Sequence, residues 1–127
     1  MEFKANLDTI IFYVQNVEKL KLFYTTIFNF KIIEEYQQLW TLLEAGNAKI
    51  GLHKIGEQYL DEGKGLLKFH NNTKIVFETG EDINKIRAHL IAQNVLMREI
   101  KTFNDYGYWL CDGEDPEGNI FQLKQRK

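Results

Sequence analysis

Nucleophilic attack, proton transfer and metal binding draw on a few residue types, and this chain supplies them sparsely: three His and one Cys among 127 residues. Cys111 lies beside Asp112 in a strand-like run, with no His or Lys motif nearby to stabilise a thiolate, so it reads as a buried structural thiol. His70 sits among Lys68, Asn71 and Asn72, a solvated setting, and His89 falls at the edge of an apolar helical stripe beside Leu90. No Ser-His-Asp, phosphate-loop or Cys-x-x-Cys pattern occurs. Acid–base chemistry would fall to Lys74 or Glu78, which share a strand face by the period of two, and would require burial to shift their pKa values. The plainer reading of that pair is a salt bridge from Glu78 to Lys74. Surface for stacking a flat ligand is better represented. Tyr13 alternates onto the same face as Thr9, and Trp40, Tyr106, Tyr108 and Trp109 lie on strand-like segments, although most of the nine Phe are needed as core.

The elements that carry these residues repeat. Thr9 to Val14 is an uncharged run of strand length, expected to be buried on both faces. Asn16 can cap a helix whose stripe is Val17, Leu20, Phe23, Tyr24, Ile27 and Phe28, ending near Asn29. Three strands follow, Phe30 to Tyr36, Leu39 to Ala45 and Ala48 to Ile55, the last two joined by Gly46-Asn47, a hairpin signal. Gly56 to Asn72, with three Gly among charges, is the candidate linker or flap. Lys74 to Thr79 then restarts the pattern. Asp82 caps a second stripe of Ile83, Ile86 and Leu90 ending near Gln93-Asn94, and Val95 to Lys101, Tyr106 to Asp112 and Gly118 to Lys124 supply three more strands. Ile10-Ile11-Phe12 aligns on Ile75-Val76-Phe77, so a βαβββ unit recurs after about 65 residues, which a single βαββαβ domain does not explain.

The last strand is entered through Asp115-Pro116-Glu117-Gly118-Asn119. Pro116 fixes φ at a central turn position, Asp115 can bond its own backbone, and Gly118-Asn119 tolerate left-handed geometry. This turn and the duplicated strand–helix opening together resemble the glyoxalase / bleomycin-resistance / extradiol-dioxygenase superfamily, the vicinal oxygen chelate proteins, over nearly the whole chain. The resemblance implies an α+β fold within residues 1–127: two βαβββ modules, about 7–55 and 73–125, forming a curved, partly open sheet around a cleft.

Metal-binding members of that family take four ligands from the first and last strands of each module. On this chain those stations fall on Thr9, Gly51, Lys74 and Gln122. Only Gln122 is of a type the family uses, and an ammonium ~4 Å from a unit charge costs about 4 kcal/mol at an effective dielectric of ~20, roughly double against a divalent ion. No cofactor is therefore expected; a divalent metal remains a disfavoured alternative. A register displaced by one or two residues would instead bring His53, Glu78 and Gln122 forward as three N/O ligands. The resemblance implies metal-free binding of a small aromatic, carbonyl-bearing or anionic molecule. Trp40, Tyr13 and Tyr108 would form the wall, His53 a hydrogen-bonding group, and Lys74 near Thr9 and Gln122 a polar floor. The alternative is a metal-dependent lyase, isomerase or dioxygenase with an atypical ligand set.

Composition bounds the setting. With 44% hydrophobic and 13% aromatic residues the chain is globular, and 16 basic against 18 acidic residues leave a charge of −2, no footprint for nucleic acid. A single Cys excludes an intrachain disulfide, the N-terminal residues do not read as a signal peptide, and no apolar run approaches the ~20 residues that span a bilayer. A cytoplasmic homodimer is expected, without membrane or nucleic-acid partners.

Overall fold

A computed structural model describes residues 1–2, 4–57 and 72–127. The chain divides into two compact units, Met1–Leu67 and Lys68–Lys127. Most of the candidate flap at 56–72, with His70, lies outside the described residues.

In the first unit, β1 (Thr9–Val14) leads into α1 (Val17–Ile27), followed by β2 (Lys31–Tyr36), β3 (Trp40–Ala45) and β4 (Ala48–Lys54). The Asn16 side chain accepts from the Lys19 backbone N–H at 3.0 Å, satisfying one of the donors that a helix start leaves over. The helix ends where Asn29 turns left-handed, at φ 57°. Val17, Leu20 and Tyr24 are buried, and they meet Val14, Leu43, Ile50 and Leu52 in the core of this unit. Fully burying each such aliphatic side chain contributes ~1.5–3 kcal/mol. The strands order β1-β4-β3-β2, with β1 parallel to β4 and the remaining pairs antiparallel. Ala45 pairs with Ala48 across Gly46-Asn47, and only Gly46 of the two takes positive φ, 75°, the pattern of a type II′ hairpin. The expectation that β1 is buried on both faces is wrong. The helix covers only one face, so Val14 is buried while Ile11 and Tyr13 are 45% and 60% exposed on the other.

The second unit repeats the plan with β5 (Ile75–Thr79), α2 (Ile83–Ala92), β6 (Leu96–Met97), β7 (Tyr108–Glu114) and β8 (Ile120–Arg126), ordered β5-β8-β7-β6. Asp82 caps α2 by accepting from the Asn84 N–H at 2.8 Å. At the far end, left-handed Asn94 allows Val95 N–H to reach Leu90 O and Asn94 N–H to reach Ile91 O, a Schellman closure whose apolar pair, Leu90 and Val95, is buried. The strand expected over Val95 to Lys101 shrinks to two residues, because beyond Met97 only an isolated bridge, Lys101 to Leu110, rejoins the sheet. β7 and β8 each begin and end two residues later than the segments expected from sequence, which leaves Tyr106 outside the strand.

The turn into β8 is built as its residues dictate. Asp115 Oδ1 accepts from Glu117 and Asn119 N–H at 2.9 and 3.0 Å, its Oδ2 accepts from Asn119 Nδ2 at 2.8 Å, and Gly118 takes φ 81°. Asn119 needs no left-handed backbone; its side chain ties the turn instead. The duplication is shown by register as well as order, since Ile11 pairs with Gly51 in one sheet where Val76 pairs with Gln122 in the other. Among the described residues no helix is long and apolar enough to cross a membrane.

Candidate functional site

On the second unit, the sheet face turned away from α2 is organised by Asp112. Antiparallel register sets Asp112 opposite Gln122, parallel register sets Gln122 beside Val76, and Lys74 lies two residues before Val76 on the same face. Gln122 Nε2 donates to Asp112 Oδ1 at 2.8 Å, and Lys74 Nζ donates to Oδ2 at 2.8 Å. Arg98 and Lys101, from the segment after β6, bring cations to 3.7 and 3.9 Å of that same oxygen. The Asp112 side chain is only 6% exposed. Its burial alone pushes the carboxyl pKa up, but the hydrogen bonds from Lys74 and Gln122 and the charges of Lys74 and Lys101 outweigh this and hold it below the usual carboxylate range. Further along the face, Lys124 Nζ lies 4.0 Å from the Tyr108 ring centroid and Arg126 Nη2 donates to Tyr108 Oη at 3.1 Å.

The matching face of the first unit is aromatic. Tyr13 and Trp40 flank His53 in register, with ring centroids 5.3 and 5.9 Å from the imidazole. His53 Nδ1 lies 2.9 Å from Lys54 O; a carbonyl only accepts, so Nδ1 carries the proton of this bond. Trp40 Nε1 donates to Glu34 at 3.1 Å, and its ring lies against the Gly51 backbone. A Cβ on Gly51 would stand 2.3 Å from Trp40 Cη2, so the residue must be glycine for the indole to lie there. Thr9 donates to Asp8 at 2.6 Å, and Lys49 pairs with the other Asp8 oxygen at 2.8 Å.

The residues singled out from sequence thus fall into two clusters. Tyr13, Trp40 and His53 meet in the first unit; Lys74 and Gln122 meet through Asp112 in the second, with Tyr108 further along that face. Thr9 is engaged with Asp8 in the first unit. The salt bridge expected between Lys74 and Glu78 is replaced by Lys74 to Asp112, because an across-sheet carboxylate under the ammonium wins over one four residues along the chain. Both Lys74 and Glu78 are exposed, so the burial that acid–base chemistry would require of them is absent. Cys111 is fully buried, burial raises its thiol pKa, and its Sγ–H reaches Arg98 O at 3.3 Å, consistent with a structural role. Asp112, Arg98 and Lys101 were missed. No local signal marked them: Asp112 stands in a strand that also carries Glu114, and its partners reach it only through the register of β5, β7 and β8.

A family model for the Glyoxalase/Bleomycin resistance protein/Dioxygenase superfamily matches residues 6–123. The chain belongs to this superfamily. Solved structures of the same fold include lactoylglutathione lyase from Agrobacterium tumefaciens, at 12% identity over 98% of this chain and 96% of that one, TM-score 0.74. An antibiotic binding protein from Streptomyces sp. CB03234 is similar at 17% identity over the full length of both chains, TM-score 0.74. The genomically encoded fosfomycin resistance protein from Listeria monocytogenes matches at 16% identity over 100% of this chain and 96% of that one, TM-score 0.69.

At the four positions where the resemblance puts ligand stations, the side chains are already committed or offer few donors. Gly51 offers no donor and its side-chain space is taken by Trp40. The Thr9 hydroxyl is a weak neutral ligand committed to Asp8. Lys74 brings a positive charge, and Gln122 retains only its amide oxygen. The displaced set fares no better, since Glu78 stands opposite Lys124 and Gln122 donates to Asp112. Among the described residues no group of three or more His, Cys, Asp or Glu is placed to hold a metal ion.

Proposed function

We propose that this superfamily member binds a small organic molecule without a metal, and that it does so as a homodimer in the cytoplasm. The observation that carries the reading is the Lys74–Asp112–Gln122 cluster, at two positions where the resemblance puts ligand stations: an ammonium stands in place of a ligand, and the nearest carboxylate is already engaged by Lys74 and Gln122. A divalent ion there would face Lys74 at short range, and a donor set of one amide oxygen does not offset that repulsion.

Aromatic surface favours an organic ligand. Tyr13 is 60% exposed beside His53 and Trp40, and Tyr108 presents a ring held between Lys124 and Arg126. Flat apolar groups stack on such rings while a few polar groups fix orientation. Two of the structural neighbours are described as an antibiotic binding protein and a fosfomycin resistance protein, which accords with small-molecule capture. Isologous pairing is the commonest assembly, and the edge strand β2 exposes Ile32, Ile33 and Tyr36. The single, unpaired Cys fits a reducing compartment.

The test is native mass spectrometry of gently purified protein set against its denatured mass. A dimer carrying no metal, with or without a retained organic mass, is expected. One divalent metal per chain would overturn the reading and return a metal-dependent lyase, isomerase or dioxygenase to first place.

A further inference from the structure

The cluster around Asp112 is unbalanced. Three cations, Lys74, Arg98 and Lys101, lie within 4 Å of one carboxylate oxygen, so the group carries three positive charges against one negative. The hydrogen bonds are divided unequally. Lys74 at 2.8 Å and Gln122 at 2.8 Å make the close contacts to Asp112, whereas Arg98 at 3.7 Å and Lys101 at 3.9 Å are beyond good hydrogen-bond distance and keep their donors available. Among the described residues Asp112 is the only anion within ion-pair distance of either. Their side chains are 56% and 47% exposed, whereas the carboxylate that gathers them is buried.

Like charges held this close repel, and the buried carboxylate offsets only part of that repulsion. A second anion arriving from solvent would relieve the rest, accepting from the guanidinium fork and the ammonium at once. Asp112 serves as the fixed counterion that keeps the cations converged on one side of the sheet. We infer that this face of the second unit is an oxyanion site, formed by Arg98 and Lys101 with Lys74 and organised by Asp112, for the carboxylate or phospho group of a small molecule. The inference rests on the metal-free binding reading and narrows it from aromatic, carbonyl or anionic ligands to anionic ones. It also assigns Asp112 a positioning role: its negative charge opposes an anionic ligand directly but holds the cations that bind it.

Calorimetric titration of EDTA-treated protein with inorganic phosphate, and separately with acetate, at constant ionic strength against sodium chloride, tests this. Saturable binding of phosphate or acetate in excess of chloride is expected, and which of the two binds separates a phospho group from a carboxylate. Losing the two cations that make no close bond to Asp112 in Arg98→Gln/Lys101→Gln should weaken binding by at least about tenfold, as expected when charge-assisted hydrogen bonds are removed, while Arg98→Lys/Lys101→Arg should retain it. These positions are exposed, so the variants are expected to fold; far-ultraviolet circular dichroism checks that. Equal binding by wild type and the charge-removed variant, or neither anion binding better than chloride, overturns the inference. Protein shown metal-free by native mass spectrometry but indifferent to both anions would overturn this inference alone. Anion binding by protein that also retains one metal per chain would support the site and sink the metal-free reading.

Discussion

At matching register positions the two units carry different chemistry on the same frame. In the first, Ile11, Gly51 and Leu42 lie side by side across β1, β4 and β3; in the second, Val76, Gln122 and Asp112 occupy the corresponding places across β5, β8 and β7. One row further, Tyr13, His53 and Trp40 correspond to Glu78, Lys124 and Leu110. The duplicated architecture therefore fixes where side chains stand and leaves open what they do. One face became an aromatic plate over a glycine, the other a charged cluster around a buried carboxylate. The helix-covered faces show no such divergence, because both must fill a core.

The largest effect should come from making the second unit imitate the first. Asp112→Leu would leave Lys74, Arg98 and Lys101 converged with no counterion and Gln122 without its acceptor. The ~3–5 kcal/mol of a broken buried pair belongs to a charge left buried, whereas the cations left here are 39–56% exposed, so roughly 1–2 kcal/mol is expected. Urea unfolding reads it; a loss below ~0.5 kcal/mol would mean that the cluster is only a surface arrangement. The same contact has a pH signature. Because the folded-state pKa of Asp112 is lowered, its contribution is present above the unfolded value near ~3.9 and is lost as pH falls through the folded value. Asp112→Asn should remove that acid-sensitive component, so its stability difference from wild type should narrow as pH drops from 5 to about 2.

The reciprocal change acts on the first unit. Gly51→Ala places a Cβ 2.3 Å from Trp40 Cη2, so the indole must leave its place over the strand, giving up its packing near His53 and its bond to Glu34. Overpacking of this kind costs about 1–3 kcal/mol, and the movable partner is a half-buried side chain, which favours the lower part of that range. In a Trp109→Phe background, where Trp40 is the remaining tryptophan and is excited selectively above the tyrosine band, its emission should shift to longer wavelength. Unchanged emission would show that the indole does not depend on the glycine.

What could be read in advance divides along the same line. Asn16, Asp82, Gly46-Asn47 and Asp115 act through bonds to neighbours a few residues away, so their types announce caps and turns directly. The apolar stripes and the recurrence of the first strand exposed the duplicated unit. The Asp112 cluster was hidden because it depends on register: Lys74 is 38 residues away and Gln122 ten, and nothing local distinguishes Asp112 from a solvent-facing acid. Expecting β1 to be buried on both faces failed for a related reason. An uncharged strand looks doubly covered, yet Ile11 and Tyr13 belong to an exposed face whose apolar character reflects something other than this unit's core.

The smallest effects lie at the helix starts, where the two units again solve one problem with different residues. Asn16→Ala should cost about 1 kcal/mol, independent of pH, because an amide cap does not titrate. Asp82 caps α2 with a carboxylate. The bond from the Asn84 backbone N–H, with that from the Asn84 side chain, lowers its pKa despite some opposing desolvation. By linkage, this cap is at full strength above the unfolded carboxylate value and weakens as pH falls through the folded one. Asp82→Asn substitutes the first unit's solution, and Asn ranks with Asp at this position, so the variant should match wild type closely at pH 7. At pH 3 it should be the more stable of the two, because its cap survives protonation of the carboxylates elsewhere. Comparing the two proteins at each pH cancels the acid response of Asp112 and Asp8, which both share. Parallel thermal unfolding curves from pH 7 to 3 would show that the Asp82 carboxylate contributes nothing as an anion and that the caps of the two units are equivalent.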